Sequence, residues 1–107
     1  MATTPDPHIM FDNLAADLAS QGAHKSKLFT MSCLKDARGK AFVGLRDGEL
    51  VVRLGRDTAE HAAASKIRGA HIFQPRVGSD WQDWICIPPT SQAEWSRYAS
   101  AALAVPR

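Results

Sequence analysis

The spacing of apolar residues changes along the chain, and each change marks an element. Met10, Leu14 and Leu18 recur every four residues with Phe11 and Ala15 beside them, the stripe of an amphipathic helix. Asp6 before Pro7 reads as an N-cap followed by proline in the first helical position, where a missing N–H costs nothing. Gly22 supplies a stop. From Lys27 to Leu54 the period falls to two, interrupted by turn signals at "DARG" (36–39) and "RDG" (46–48). Three antiparallel strands are predicted, over 27–35, 40–46 and 49–54, with Asp47-Gly48 taking the positive φ angles of a tight hairpin.

Gly55 ends the strand run, and "DTAE" (57–60) reads as an Asp57-capped box for a helix over 58–67. Its Ala62-Ala63-Ala64 run is slim enough to lie close against a sheet, and Gly69 closes it. "HIFQP" (71–75) predicts a short strand stopped by Pro75, "RVGSD" a loop, and "WQDWICI" (81–87) a strand ended by Pro88-Pro89. "SQAE" (91–94) has the form of a capping box that starts a helix at Ser91 and carries it to about Leu103. Trp95, Tyr98, Ala99, Ala102 and Leu103 share its inner face.

The order α-β-β-β-α-β-β-α predicts an α+β fold, an antiparallel five-stranded sheet with helices mainly on one face. Residues 1–7 read as an arm, 8–104 as one domain and 105–107 as a tail. Ala41, Val43 and Leu45 oppose Phe42 and Gly44, while Leu50, Val52 and Leu54 oppose Val51 and Arg53. Neither sheet face is plainly polar, so a second covering is expected, by a helix or by another copy in a homodimer.

Composition narrows the class. At 107 residues with 45% hydrophobic and 22% charged positions, the chain has the size and balance of one globular domain. A net charge of +2 is too small to announce nucleic-acid binding. The sequence has no run long and apolar enough for a bilayer, and "MATTPDPH" lacks the basic start and apolar core of a signal peptide. A cytoplasmic location without membrane attachment is expected. Cys33 and Cys86 read as reduced, buried thiols.

The stretch "GKAFVGLRDGELVVRLG" (39–55) carries glycines and a Gly-Lys step, yet a phosphate loop needs G-x-x-x-x-G-K-[ST] running from strand into helix. Here the lysine follows the first glycine and strand-like residues continue on both sides, so a β-hairpin is predicted, with Gly44 a strand glycine or bulge. His8, His24, His61 and His71 are scattered without close ligand spacing. Asp47, Asp57, Glu60 and Glu94 are accounted for by turns and caps. No catalytic constellation, metal or cofactor is expected. Trp81, Trp84 and Trp95 concentrate near the C-terminus, with Asp80 and Asp83 beside the first two. Lys27, Lys35, Lys40, Arg46, Arg53 and Arg56 fall in the strand region. A binding surface is predicted from Lys40, Arg46, Arg53, Trp81, Asp83 and Trp84.

The combination "SKLFTMSCLKDARGKAFVGLRDGELVVRLG", "GAHIFQP" and "DWICIP" resembles the TfoX/Sxy N-terminal-domain family from about residue 11 to 104. Gly39-Lys40, Pro75 and Trp84 stand where the family pattern puts them. Leu28, Thr30, Ser32, Arg53 and Gln74 depart from it, at Met, Gly, Pro, Lys and Asp respectively. The resemblance implies a small α+β domain similar to secretion-chaperone-like folds. The family's namesakes regulate competence for DNA uptake and carry a further C-terminal domain, which these 107 residues do not include. The expected function is a non-enzymatic binding or regulatory module acting through protein contacts. The alternatives are an accessory nucleic-acid-binding or competence-related regulator and a small-ligand-binding domain near Trp81, Trp84 and Asp83.

Overall fold

The computed structural model describes residues 6–28, 31–76 and 78–104. The departure at Thr30, most of the expected arm and the tail lie outside them. Pro7 belongs to the first helix, α1 (Pro7–Leu18), where Asp6 caps the His8 amide at 2.8 Å. A 3-10 turn over Ala19–Gln21 follows, and Gly22 closes it at φ 92°. A side chain there would run into Ala37.

Six strands follow: β1 (His24–Leu28), β2 (Met31–Lys35), β3 (Ala41–Arg46), β4 (Glu49–Arg53), β5 (His71–Arg76) and β6 (Ser79–Ile87). They form one antiparallel sheet in the order β1-β2-β3-β4-β6-β5. The sequence predicts five strands because the single stretch 27–35 is in fact the end of one strand and the whole of the next. β1, "HKSKL", is a polar edge strand that offers no apolar alternation to read. Its Lys25 pairs with Asp12 on α1.

Asp47 and Gly48, at φ 53° and 79°, make the two-residue turn between β3 and β4, so the glycine-rich stretch is a hairpin, as its sequence predicts. Between Leu34 and Lys35 the β2–β3 register slips by one residue at Phe42. This bulge lets Phe42 and Val43 enter the same core. Gly44 is an ordinary strand glycine, and the Met31 thioether lies where its side chain would be.

α2 (Ala59–Ser65) sits between β4 and β5, and α3 (Trp95–Ala104) follows β6. The cap of α2 is Thr58, whose hydroxyl accepts from the His61 amide at 3.1 Å. Asp57 lies one residue too early, because the Thr58 hydroxyl also donates to the Leu54 carbonyl and is fixed at the helix mouth. Ser91 likewise does not cap α3. Pro89 opens a 3-10 segment, Pro89–Glu94, that passes through Ser91 in non-helical geometry, and α3 begins at Trp95. The fully buried Trp95 donates its indole N–H to the Pro88 carbonyl at 3.3 Å.

α1, α2 and α3 cover one sheet face. Phe11, Leu14 and Leu18 of α1 and Trp95, Tyr98, Ala99 and Ala102 of α3 pack on Leu34, Val43, Val52, Ile85 and Ile87. The other face is covered differently. Ile72 of β5 pairs with Ile85 of β6, but the next residue, Phe73, pairs with Trp81. Gln82, Asp83 and Trp84 are therefore unmatched on the β5 side. This bulge bends the β5–β6 ribbon back across the sheet, bringing its Gln74 carbonyl to Arg46 Nη1 at 3.2 Å and Phe73 under the Arg46 guanidinium at 5.4 Å. Phe73, Trp84, Val51, Cys86 and Met31 form a second core there, with Trp81 and Ala41 packed against it.

The need for a second covering is thus met within the chain. Val51 is completely buried, and among the described residues Ile9 is the one large apolar side chain left exposed, at 57%. Removing a side chain such as Val51 or Phe73 from water contributes about 1.5–3 kcal/mol, available here without a partner. The unfolding midpoint is expected to stay constant across about a hundredfold range of protein concentration; a midpoint that falls on dilution would mean that a second copy completes the fold.

Candidate functional site

The bent ribbon leaves a groove between its own tip and the β3–β4 turn. Its volume is about 690 Å³, within the range of small-ligand and side-chain pockets. Met31, Phe73, Pro75 and Trp81 give it apolar walls, Arg46 and Arg76 stand along it as cations, and Asp47, its carboxylate 3.9 Å from Arg46 Nε, adds one negative charge. Phe73 meets Trp81 edge to face with ring centroids 5.5 Å apart, and Trp81 lies 5.9 Å from Trp84. Such pairs hold one another in fixed orientations. Arg46 is oriented by its bond to Gln74 and by the Phe73 ring, whereas Arg76 is exposed at the ribbon tip.

Two of the six sequence-predicted residues therefore meet in the groove, Arg46 and Trp81. Trp84 is buried beneath them and belongs to the packing. Arg53 pairs with Trp84 in the β4–β6 register, toward the opposite end of β4, and its Nη1 is buried without a hydrogen-bond partner. Lys40 is exposed in the β2–β3 turn, at the other end of β3 from Arg46. That turn is built by Asp36, whose carboxylate accepts from the Arg38 and Lys40 amides at 2.9 and 3.0 Å. Arg76, Phe73 and Met31 escape a sequence reading because the ribbon reaches the β3–β4 turn only through the bulge.

Asp83 serves the fold. Its backbone carbonyl accepts from the Leu54 and Gly55 amides at 2.9 and 3.1 Å. Its carboxylate accepts from the Arg56 amide at 2.8 Å and from Arg56 Nε at 3.1 Å. The bond from the Arg56 amide, followed by the one from its guanidinium, lowers the Asp83 pKa.

A second cluster appears on the same sheet face. His71 of β5 lies directly opposite Cys86 of β6, and Cys86 opposite Val51, two residues from Glu49 on β4. His71 Nε2 stands 2.8 Å from Glu49 Oε1, and its Nδ1 stands 3.1 Å from the Ile72 carbonyl. Burial pulls the His71 pKa down, but the Glu49 hydrogen bond, the Ile72 carbonyl and the Glu49 charge together raise it overall. Burial first, and then the Glu49 carboxylate, push the Cys86 thiol up to about 12. Cys33 is also free and buried. It lies three strand spacings from Cys86 in the sheet order, about 14 Å, beyond disulfide reach.

No protein-family model, curated protein or solved structure matches the chain. Among the described residues no helix is long and apolar enough to cross a membrane.

The Asp83 contacts predict a pH signature. Its folded pKa is depressed, so the stabilisation is complete above the unfolded value of about 4 and is lost as the pH falls through the folded value. Asp83→Asn is expected to cost about 1 kcal/mol at pH 7, a low figure for a charged hydrogen bond because the carboxylate is 33% exposed. Denaturant unfolding should show the difference closing in acid; a difference independent of pH would remove the charge from the account.

Proposed function

We propose that this chain is a binding module that takes a short acidic and apolar segment of another protein in the groove between the β5–β6 ribbon and the β3–β4 turn. The observation that carries the reading is the combination of Arg46 and Arg76 with the apolar walls of Met31, Phe73, Pro75 and Trp81. A carboxylate on the incoming segment pairs with the arginines, whose planar forks suit it. An adjacent apolar side chain fills the space beside Trp81. Rigid aromatic walls lower the ordering cost of binding.

The resemblance to the TfoX/Sxy N-terminal-domain family is compatible with a regulatory module of this kind and does not choose its partner. Nucleic acid suits the surface less well. Lys40 stands at the opposite end of β3 from the groove, and Arg56 is engaged with Asp83, so the basic residues do not form one continuous track. Homodimerisation through this sheet face is also less favoured, since its apolar residues are already buried.

Peptide arrays of short acidic-apolar sequences, followed by calorimetric titration of the best binders, test the reading. Arg76→Glu is expected to weaken binding about tenfold or more, about 1.4 kcal/mol, while Lys40→Glu leaves it within about twofold. Absence of binding, or equal loss in both variants, would contradict the groove as the site. Binding of single-stranded RNA or DNA with a steep salt dependence would transfer the function to nucleic acid.

A further inference from the structure

We infer that Glu49, His71 and Cys86 form a binding site for a single zinc ion. Three strands adjacent in the sheet, β4, β6 and β5, each contribute one ligand. The carboxylate oxygen, imidazole nitrogen and thiol sulfur all lie within 4.8 Å of one another. Sequence spacing hides the set, since neighbouring ligands are 22 and 15 positions apart in a chain whose strands bring them together.

The donor chemistry selects the ion. One sulfur, one imidazole nitrogen and one carboxylate oxygen suit a borderline-soft cation, and an all-oxygen ion such as magnesium or calcium would leave the sulfur unused. The orientation of His71 is that of a metal ligand. Its Nδ1 is directed at the Ile72 carbonyl at 3.1 Å, a contact that directs Nε2 toward an ion and fixes the ring. Nε2 in turn points at Glu49 Oε1, so an ion between them takes the place of the bridging proton.

Bond lengths of about 2.0–2.3 Å put tetrahedral zinc ligands about 3.5 Å apart. The fit needs adjustment of His71 and Glu49, which have side-chain exposures of 54% and 24%, while Cys86 stays in place. The Cys86 sulfur binds as thiolate, its proton passing to solvent. With three protein ligands the fourth position falls to water on the open side of His71. Glu49 pairs with Arg46 across the β3–β4 turn, but none of the three ligands lines the groove, so failure of the site would leave the peptide reading standing.

The test titrates the full chain, stripped of metal by chelation, with Zn2+ by calorimetry and with Co2+ by absorbance. The expected result is one equivalent of Zn2+, a raised unfolding midpoint and a thiolate-to-cobalt charge-transfer band. His71→Gln and Glu49→Gln, at positions that are not part of the core, should each weaken Zn2+ binding about tenfold or more. Cys86→Ala should abolish the cobalt band, whereas Cys33→Ala should keep it. Failure of the full chain to bind one equivalent would overturn the site. So would affinity unchanged in His71→Gln, or a cobalt band that disappears with Cys33 instead of Cys86.

Discussion

The fold turns on a slip of register in β6. Across one step of β5, from Ile72 to Phe73, the partner on β6 moves from Ile85 to Trp81. The residues left over, Gln82 to Trp84, each hold a neighbouring element. The Gln82 carbonyl faces His61 Nε2 on α2 at 2.7 Å. Asp83 gathers the Leu54, Gly55 and Arg56 amides, and Trp84 turns into the second core. These three residues tie the helical layer to the sheet and fix the loop from β4 into α2, while the slip on the β5 side bends the ribbon over the far face. A sheet apolar on both sides has its far face covered by that bend.

Local chemistry was readable where it is decided locally. Asp6-Pro7, Gly22 and Asp47-Gly48 announced their own geometry, and the spacing of Trp95, Tyr98, Ala99 and Ala102 gave the buried face of α3. The errors lie where a neighbour outvotes the local signal. β1 is polar because it is an edge strand whose Lys25 reaches α1, so its pattern merged with β2. Asp57 and Ser91 have the form of caps, but Thr58 is held in place by the Leu54 carbonyl and Pro89 begins its turn ahead of Ser91. "WQDWICI" reads as one regular strand, and nothing in its alternation marks the point where its partner slips.

The candidate sites follow the same division. Arg46 stands out among the basic residues of the strand region and Trp81 among the C-terminal tryptophans, and they meet in the groove only because the ribbon bends. Arg76 joins them by the same route. Asp83 and Trp84, equally prominent in sequence, are the residues that make the bend. Glu49, His71 and Cys86 sit in three separate strands, and their adjacency exists only in the order β4-β6-β5. Placing β6 between β4 and β5 creates that cluster and leaves His71 on an accessible edge.

The most direct measurement is the β5–β6 register in solution, read from backbone proximities by nuclear magnetic resonance on the labelled chain. Backbone cross-strand contacts are expected from Phe73 to Trp81. A ladder that continues in regular register, with the Phe73 backbone opposite Trp84, would contradict the slip.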